Sequence, residues 1–438
     1  MTKSRLPIAI LGAGFAGLVA ADELTQRGIP VEVYEASPVI GGLARSFKDD
    51  EGFSLDFGAH FITNRLAAAI GVGDRCRTVR YYGESVWFEG STSSYPFGLL
   101  RRPRLVLSAM RARTSRAPVA ITAADLFRQR YGRALATEVA EPLIEAWSGM
   151  PATKLAAAVA DKLSTSIPKT IWLRAAAFAT RRAVAIGYCQ EQPESANVWH
   201  VYPEEGISML VNHLASKVEG GIRLQTPVEG IVVDGGAVRA VVVNGEERPV
   251  AAAISTAPVN VLAKMIRGTE DLAHLASFRY RPMVFVNLRL EGRDLLPDVV
   301  TWTPDREMPF FRLTEAPISM PWLAPEGKTI ITADIGCEVG DEIWSADDES
   351  LARLCLEALE PIVSNAAGRY LGSKVLRTKI AYPVFDIAYE EERQTLAKGT
   401  GIEGLLSVGR NGEFDHLLME DLYWRTLRRV RQHVVRRG

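Results

Sequence analysis

Residues 8–17 read Ile8-Ala9-Ile10-Leu11-Gly12-Ala13-Gly14-Phe15-Ala16-Gly17, and Glu35 follows at the end of Val31-Glu32-Val33-Tyr34-Glu35. A short apolar run, a glycine turn, a helical stretch and a second apolar run make one β-α-β unit. Gly12 permits the tight turn, Gly14 lets the backbone approach a pyrophosphate, and Gly17 lets helix and strand pack closely. Phe15 and Ala16 lead from the turn into the helix, whose N-terminus offers unpaired N–H groups and the positive end of its dipole to phosphate. Glu35 is placed to accept hydrogen bonds from a ribose diol. The unit predicts an α/β, Rossmann-like dinucleotide-binding domain.

Composition narrows the remaining choices. The chain has 438 residues, too many for one ordinary core, so two domains are expected. Net charge is −1, which gives no reason to expect a nucleic-acid partner. Cys76, Cys189, Cys337 and Cys355 are scattered without a close pair, which argues against a disulfide scaffold and fits a reducing, cytoplasmic compartment. His60, His200, His213, His274, His416 and His433 have no ligand spacing, so no metal is predicted. The N-terminal apolar run is short, broken by glycine and already used as the first strand, so it does not read as a signal peptide. Residues 171–189 carry Arg174, Arg181 and Arg182, costly at a bilayer centre. They are expected as a helix over the substrate domain with its arginines in water, in preference to membrane contact. Arg101, Arg102, Arg104, Arg111, Arg113 and Arg116 form an acid-free basic stretch. It reads as a solvated helix face, or as a contact for an anionic partner or a membrane surface.

Further along, residues 87–97 read as a hairpin, and Thr122-Ala123-Ala124-Asp125 as a capping box opening helices that run to Trp147 with a break at Gly132. Ile207, Leu210, Val211 and Leu214 give a helical stripe. Residues 226–233, 237–243 and 250–255 read as a β-meander, divided by Asp234-Gly235-Gly236 and Asn244-Gly245. Strands are expected at 283–290 and 329–335, helices near 351–359 and at 419–434. Nucleotide-type patterns thus fall at 1–65, 200–265 and 395–438, with an α+β substrate domain inserted as 66–199 and 266–394.

After Glu35 comes Ala36-Ser37-Pro38-Val39-Ile40-Gly41-Gly42-Leu43-Ala44-Arg45. This second glycine pair followed by arginine resembles the extended FAD signature of glutathione-reductase-like flavoproteins, which include amine oxidases, protoporphyrinogen oxidase and phytoene desaturase. The resemblance implies FAD as cofactor. It implies that the segment from Ala36 through Gly41, Gly42, Leu43 and Ala44 approaches the pyrophosphate and ribityl chain, with Arg45 near the phosphates. Leu55-Asp56-Phe57-Gly58-Ala59-His60-Phe61 resembles the segment passing the isoalloxazine. Val228 resembles the strand clasping adenine, and Thr256-Ala257-Pro258 its end. Gly409-Arg410-Asn411-Gly412-Glu413-Phe414, with Met419 opening a helix, resembles the closing FAD motif. There Gly-Arg lies by the ribityl phosphate and the helix N-terminus faces the flavin pyrimidine.

The closing motif, Tyr382-Pro383 and residues 141–149 with Trp147 resemble two branches of this superfamily. One holds protoporphyrinogen-oxidase-like dehydrogenases. The other holds UDP-galactopyranose mutase, whose Lys-Gln-Trp-Gly corresponds only partly to Glu145-Ala146-Trp147-Ser148-Gly149. Trp147 and Tyr382 are candidate substrate contacts and are equally readable as core aromatics. His60 is a candidate base or substrate-orienting group, or a structural histidine. Residues 279–290 lack the lysine that the amine-oxidase branch offers near flavin N5. No second GxGxxG appears, so electrons would pass to oxygen or a carrier, or return to the substrate. The expected function is FAD-dependent hydride removal from a small organic molecule, at a C–N or C–C bond. The alternative is a flavin-dependent mutase of a nucleotide sugar.

Overall fold

Ile8–Leu11 forms strand β1, Phe15–Gln26 helix α1 and Val31–Tyr34 strand β2, in the order the glycine motif demands. The computed structural model describes residues 6–58, 60–94, 98, 101–114, 118–160 and 167–435. Ala59 of the isoalloxazine segment, Arg116 of the basic stretch and Tyr95-Pro96-Phe97 of the hairpin lie outside the described residues.

β1 is central in a five-stranded sheet ordered Ile222–Arg223, β2, β1, Ala252–Ser255, Leu405–Ser407, and each neighbouring pair is parallel. This is the 3-2-1-4-5 order of a doubly wound nucleotide-binding sheet. Leu18, Ala20, Ala21 and Leu24 of α1 are fully buried, in one cluster with Leu210 and Leu214 of helix Ser208–Ala215 and with Tyr423 and Leu427 of helix Met419–Val435. Each fully buried leucine there contributes about 1.5–3 kcal/mol. Glu23 of α1 accepts from Arg27 at 2.6 Å and from both Nε and Nη2 of Arg431 at 2.9 Å, which latches the closing helix to the first. Burial opposes ionisation of Glu23, but the two guanidinium groups leave its pKa below the usual value.

The expected meander is corrected in its last member. Val228–Asp234 and Ala237–Val243 pair antiparallel, and the third strand is Glu246–Pro249. Residues 252–255 instead enter the parallel sheet beside β1. The reason is the turn at Asn244-Gly245: both residues have positive φ (53° and 75°), a tight reversal that starts the next strand at once.

A second, seven-stranded sheet is ordered Tyr370–Pro383, Tyr280–Glu291, Lys328–Gly336, Arg312–Thr314, Val300–Trp302, Glu84–Phe88, Ser91–Ser94. The Thr122 capping box is present in both directions, and Gly132, at φ 79°, breaks the helical path as expected. A Cβ at Gly132 would lie 2.3 Å from the Ser108 backbone, so the break also admits helix Pro103–Thr114. The helix expected within 171–189 spans Ile167–Thr180 and ends before Arg181.

Candidate active site and cofactor cradle

The cradle is assembled at the C-terminal ends of β1 and β2. Gly12 has φ 103°, and a Cβ there would meet Thr256 Oγ1 at 2.3 Å; the Thr256 hydroxyl in turn donates to the Leu11 carbonyl at 2.8 Å. Gly17 is more tightly constrained: its Cβ would sit 1.9 Å from the Gly12 carbonyl oxygen. Gly14 differs from both, because nothing lies within 4 Å of the position its Cβ would take. It is the N-cap of α1, with no side-chain cap and no acidic residue in the first turn. The helix therefore presents uncapped N–H groups to open space, the arrangement that takes an anion.

Three other segments close around this point. Gly41 (φ 100°) donates its N–H to the Ala13 carbonyl at 2.8 Å, and the Cβ position of Gly42 is 3.6 Å from Gly14 Cα. Glu35 accepts from the N–H of Ala13 at 2.7 Å and of Ser37 at 2.8 Å, so its carboxylate braces the glycine turn from the ribose side. Thr226 N–H donates to the Glu35 carbonyl at 2.8 Å and brings the strand of Val228 alongside. From the C-terminal region, the Cβ position of Gly409 lies 3.0 Å from Ala16 Cβ. An uncapped helix end, a methyl-sized opening at Gly14 and an acid at the ribose position fit a dinucleotide.

The second sheet supplies a wall. Its register places Leu376, Phe285, Asp334, Arg312, Trp302 and Val86 directly opposite one another across six strands. Directly paired residues share a face, so this is one row of side chains. The row faces the predicted flavin segment: a Cβ on Gly58 would meet Phe285 Cε1 at 3.1 Å and Arg312 Nη2 at 3.3 Å. Arg312 is ion-paired with Asp334, which is fully buried, and its guanidinium lies 5.6 Å from the Trp302 ring centroid. Trp302 donates to Glu84 at 2.8 Å, and Tyr82 donates to the other oxygen of that carboxylate at 2.7 Å.

Electrostatics separate the cations of this region. Burial alone would lower the pKa of Arg312, but Asp334 beside it holds the guanidinium charged. For Asp334, burial pushes the carboxyl up and Arg312 opposes it. Arg410 is lowered by burial; it donates Nε and Nη2 to the Leu417 carbonyl at 3.1 and 2.9 Å and lies 5.6 Å from the Tyr382 ring. Trp147, Tyr382 and His416 form an aromatic triangle with centroid separations of 4.9, 5.3 and 5.5 Å. His60 Nδ1 stands 3.5 Å from Asp56, whose carboxylate also accepts from Ser46 at 2.6 Å and from Tyr202.

The structure thus gathers Gly12, Gly14, Phe15, Ala16, Gly17, Glu35, Gly41, Gly42, Thr256 and Gly409 around one helix end, and Ala257 follows Thr256 with its N–H donating to Ser255 at 3.2 Å. Ala36 is exposed, Leu43 half-buried and Ala44 buried, its N–H donating to Gly41 at 2.9 Å. Arg45 folds back, donating to the Gly42 carbonyl at 2.8 Å, with its guanidinium over Phe47 and Phe57. Glu413 accepts from Gly409 N–H at 3.2 Å and pairs with Arg429 at 2.7 Å, which fixes the closing loop. Met419 begins the last helix. Sequence reasoning missed Arg312, Asp334 and Trp302, and named Asp56 only as part of the isoalloxazine segment. It also missed Glu420 and Asp421, which take Thr63 (2.8 Å), Arg65 and the N–H groups of Gln190 (2.7 Å) and Glu191 (2.9 Å) at the start of that helix.

The chain belongs to the flavin containing amine oxidoreductase family, which it matches over residues 15–385. Its class is that of flavin-containing oxidoreductases. A zeta-carotene desaturase of Zea mays is 45% identical over 56 residues, 13% of this chain and 10% of the relative. The matched stretch is thus about a tenth of that curated relative's own length. Among solved structures, reduced UDP-galactopyranose mutase aligns with TM-score 0.80 at 18% identity, covering 99% of this chain and 94% of the other. A putrescine oxidase variant aligns with TM-score 0.70 at 14% identity, covering 99% of each. These structural likenesses establish the shared fold.

Proposed function

We propose that the protein removes a hydride from a C–N or C–C unit of a small organic substrate. When bound, the flavin supplies the two-electron acceptor for that hydride. The observation that carries the reading is the row Phe285, Asp334, Arg312 and Trp302 laid against Gly58: a half-aromatic wall with a buried Arg312–Asp334 ion pair, facing the flavin segment. In this reading Gly12, Gly14, Gly41, Gly42 and Arg410 hold the phosphates, Glu35 holds the ribose, and Val228, Thr256 and Ala257 flank the adenine end. Residues 1–65, 200–265 and 395–438 bind FAD, and residues 66–199 and 266–394 build the substrate side. Trp147 and Tyr382 wall the substrate chamber. His60, its Nδ1 3.5 Å from Asp56, positions the substrate or takes its proton. Electrons leave to oxygen or a carrier. The cytoplasm suits its four cysteines, all of them free. Anaerobic mixing with candidate amines and unsaturable hydrocarbons tests this: a true substrate bleaches the visible flavin band, and an unbleached flavin with every redox substrate refutes it.

A second reading rests on the two cations near Tyr382. Arg410 has no carboxylate against it among its hydrogen bonds, and Arg312 raises the positive field there. That favours an anionic substrate, such as a nucleotide-linked sugar rearranged without net redox change. It predicts isomerisation by reduced enzyme only, with no acceptor consumed; equal activity of the oxidised form removes it.

A further inference from the structure

Helix Ile167–Thr180 exposes large apolar side chains where an ordinary surface helix exposes polar ones. Leu173 is fully buried, while Ile171 is 55%, Trp172 59% and Phe178 90% exposed. At about 100° per residue, Ile171, Trp172, Ala175, Phe178 and Ala179 form one outward stripe about 120° wide, on the side opposite Leu173. Lys169, paired with Glu194 at 2.8 Å, and Arg174 flank the stripe on its two sides, and Arg181 and Arg182 follow the last turn. Residues 162–190 hold no aspartate or glutamate. Single exposed apolar residues are ordinary on a soluble protein, but a contiguous stripe collared by cations is not.

We propose that this helix docks the protein onto an anionic lipid surface, lying in the plane of the headgroups with Ile171, Trp172 and Phe178 inserted. Its fourteen residues extend about 21 Å, short of the roughly 30 Å hydrocarbon core, so the helix lies on the bilayer and does not cross it. Among the described residues no helix is long and apolar enough to cross a membrane. The composition of the stripe chooses lipid over protein. Its alanine, isoleucine and phenylalanine side chains offer no hydrogen-bonding group, and the Trp172 indole offers one N–H, whereas a protein interface carries about one hydrogen bond per 100–200 Å². An amphipathic tryptophan is the side chain favoured at headgroup depth. Arg174, Arg181 and Arg182 supply the complementary charge, while Lys169 is ion-paired with Glu194 at 2.8 Å. Helix Pro103–Thr114 also exposes Leu107 (54%) and Met110 (60%), beside Arg113 and beside an Arg104 that is paired with Glu138.

The test is flotation of the full-length holoprotein with phosphatidylcholine vesicles, with and without phosphatidylglycerol, at low and high salt. Binding that requires the anionic lipid and falls with salt is expected. Trp172→Ser with Phe178→Ser should weaken it at least about tenfold, and Arg181→Gln about fivefold, with flavin content and melting temperature unchanged. Equal binding to both vesicle types, or none to either, overturns the proposal. So does a dimer in sedimentation velocity that the Trp172→Ser/Phe178→Ser variant dissociates, since the occupant is then a second copy of the chain.

Discussion

Replacing Gly14 by valine separates cofactor binding from folding. Gly14 sits at φ −73° and ψ 178°, extended backbone open to any residue, and its Cβ direction is free of atoms to 4 Å. The variant chain therefore meets no backbone strain and no collision at Cβ, and loss of glycine at an N-cap costs about 1 kcal/mol at most. The same branched side chain projects over the uncapped end of α1, where the pyrophosphate must lie. Displacing a phosphate from two backbone N–H groups loses about 1.5–3 kcal/mol for each charge-assisted bond. That sum corresponds to a fall in FAD affinity of about a hundred- to ten-thousandfold. Apoprotein titrated with FAD, followed by quenching of flavin fluorescence, reads the affinity, and circular dichroism melting reads the fold. Gly17→Ala is the counterpart: its Cβ would lie 1.9 Å from the Gly12 carbonyl, so the apoprotein itself should melt earlier. Gly14→Val protein that binds FAD with native affinity would refute the placement of the phosphates.

Glu35→Ala removes the acceptor of the Ala13 and Ser37 N–H groups and should weaken FAD by about 1–3 kcal/mol; an unchanged dissociation constant in the same titration rejects its role. Asp334→Asn leaves Arg312 buried without its counter-charge and should cost about 3–5 kcal/mol in urea unfolding, most of it recovered in an Arg312→Leu/Asp334→Leu double variant. Burial lowers the His200 pKa to about 4, so the unfolded chain takes up a proton near pH 6.5 that the native chain refuses until about pH 4. Stability should accordingly fall as pH drops through that window, by up to about 3 kcal/mol, and His200→Phe, packed among Phe61, Tyr82 and Tyr188, should flatten the slope. An identical pH dependence of melting temperature in the variant counts against this.

The nucleotide unit was legible because its signals are local. Gly12, Gly14 and Gly17 each answer a different steric demand within one turn, and Glu35 ends the very next strand. Strand Ile222–Arg223 was not legible, because two residues carry no period. Residues 252–255 were misassigned because three buried apolar residues and a serine read alike in a meander and in a parallel sheet. The wall of the site was the least legible part. Phe285, Trp302, Arg312 and Asp334 come from four strands whose register is set by long-range pairing. One trace of it does exist in the chain: Asp334 interrupts Ile330-Ile331-Thr332-Ala333, and a charge within so apolar a run requires a buried partner. Arg312 directly after Phe310-Phe311 is the matching sign.

The central claim is that the glycine turn after β1, the Gly41-Gly42 pair and the Gly409-Arg410 loop enclose one FAD. Its most direct test is the flavin stoichiometry of the purified, folded protein, measured by release on denaturation and again after incubating stripped protein with FAD. One FAD per chain, abolished by Gly14→Val, is the expected result. Folded protein that is colourless and takes up no FAD when it is supplied would contradict the account.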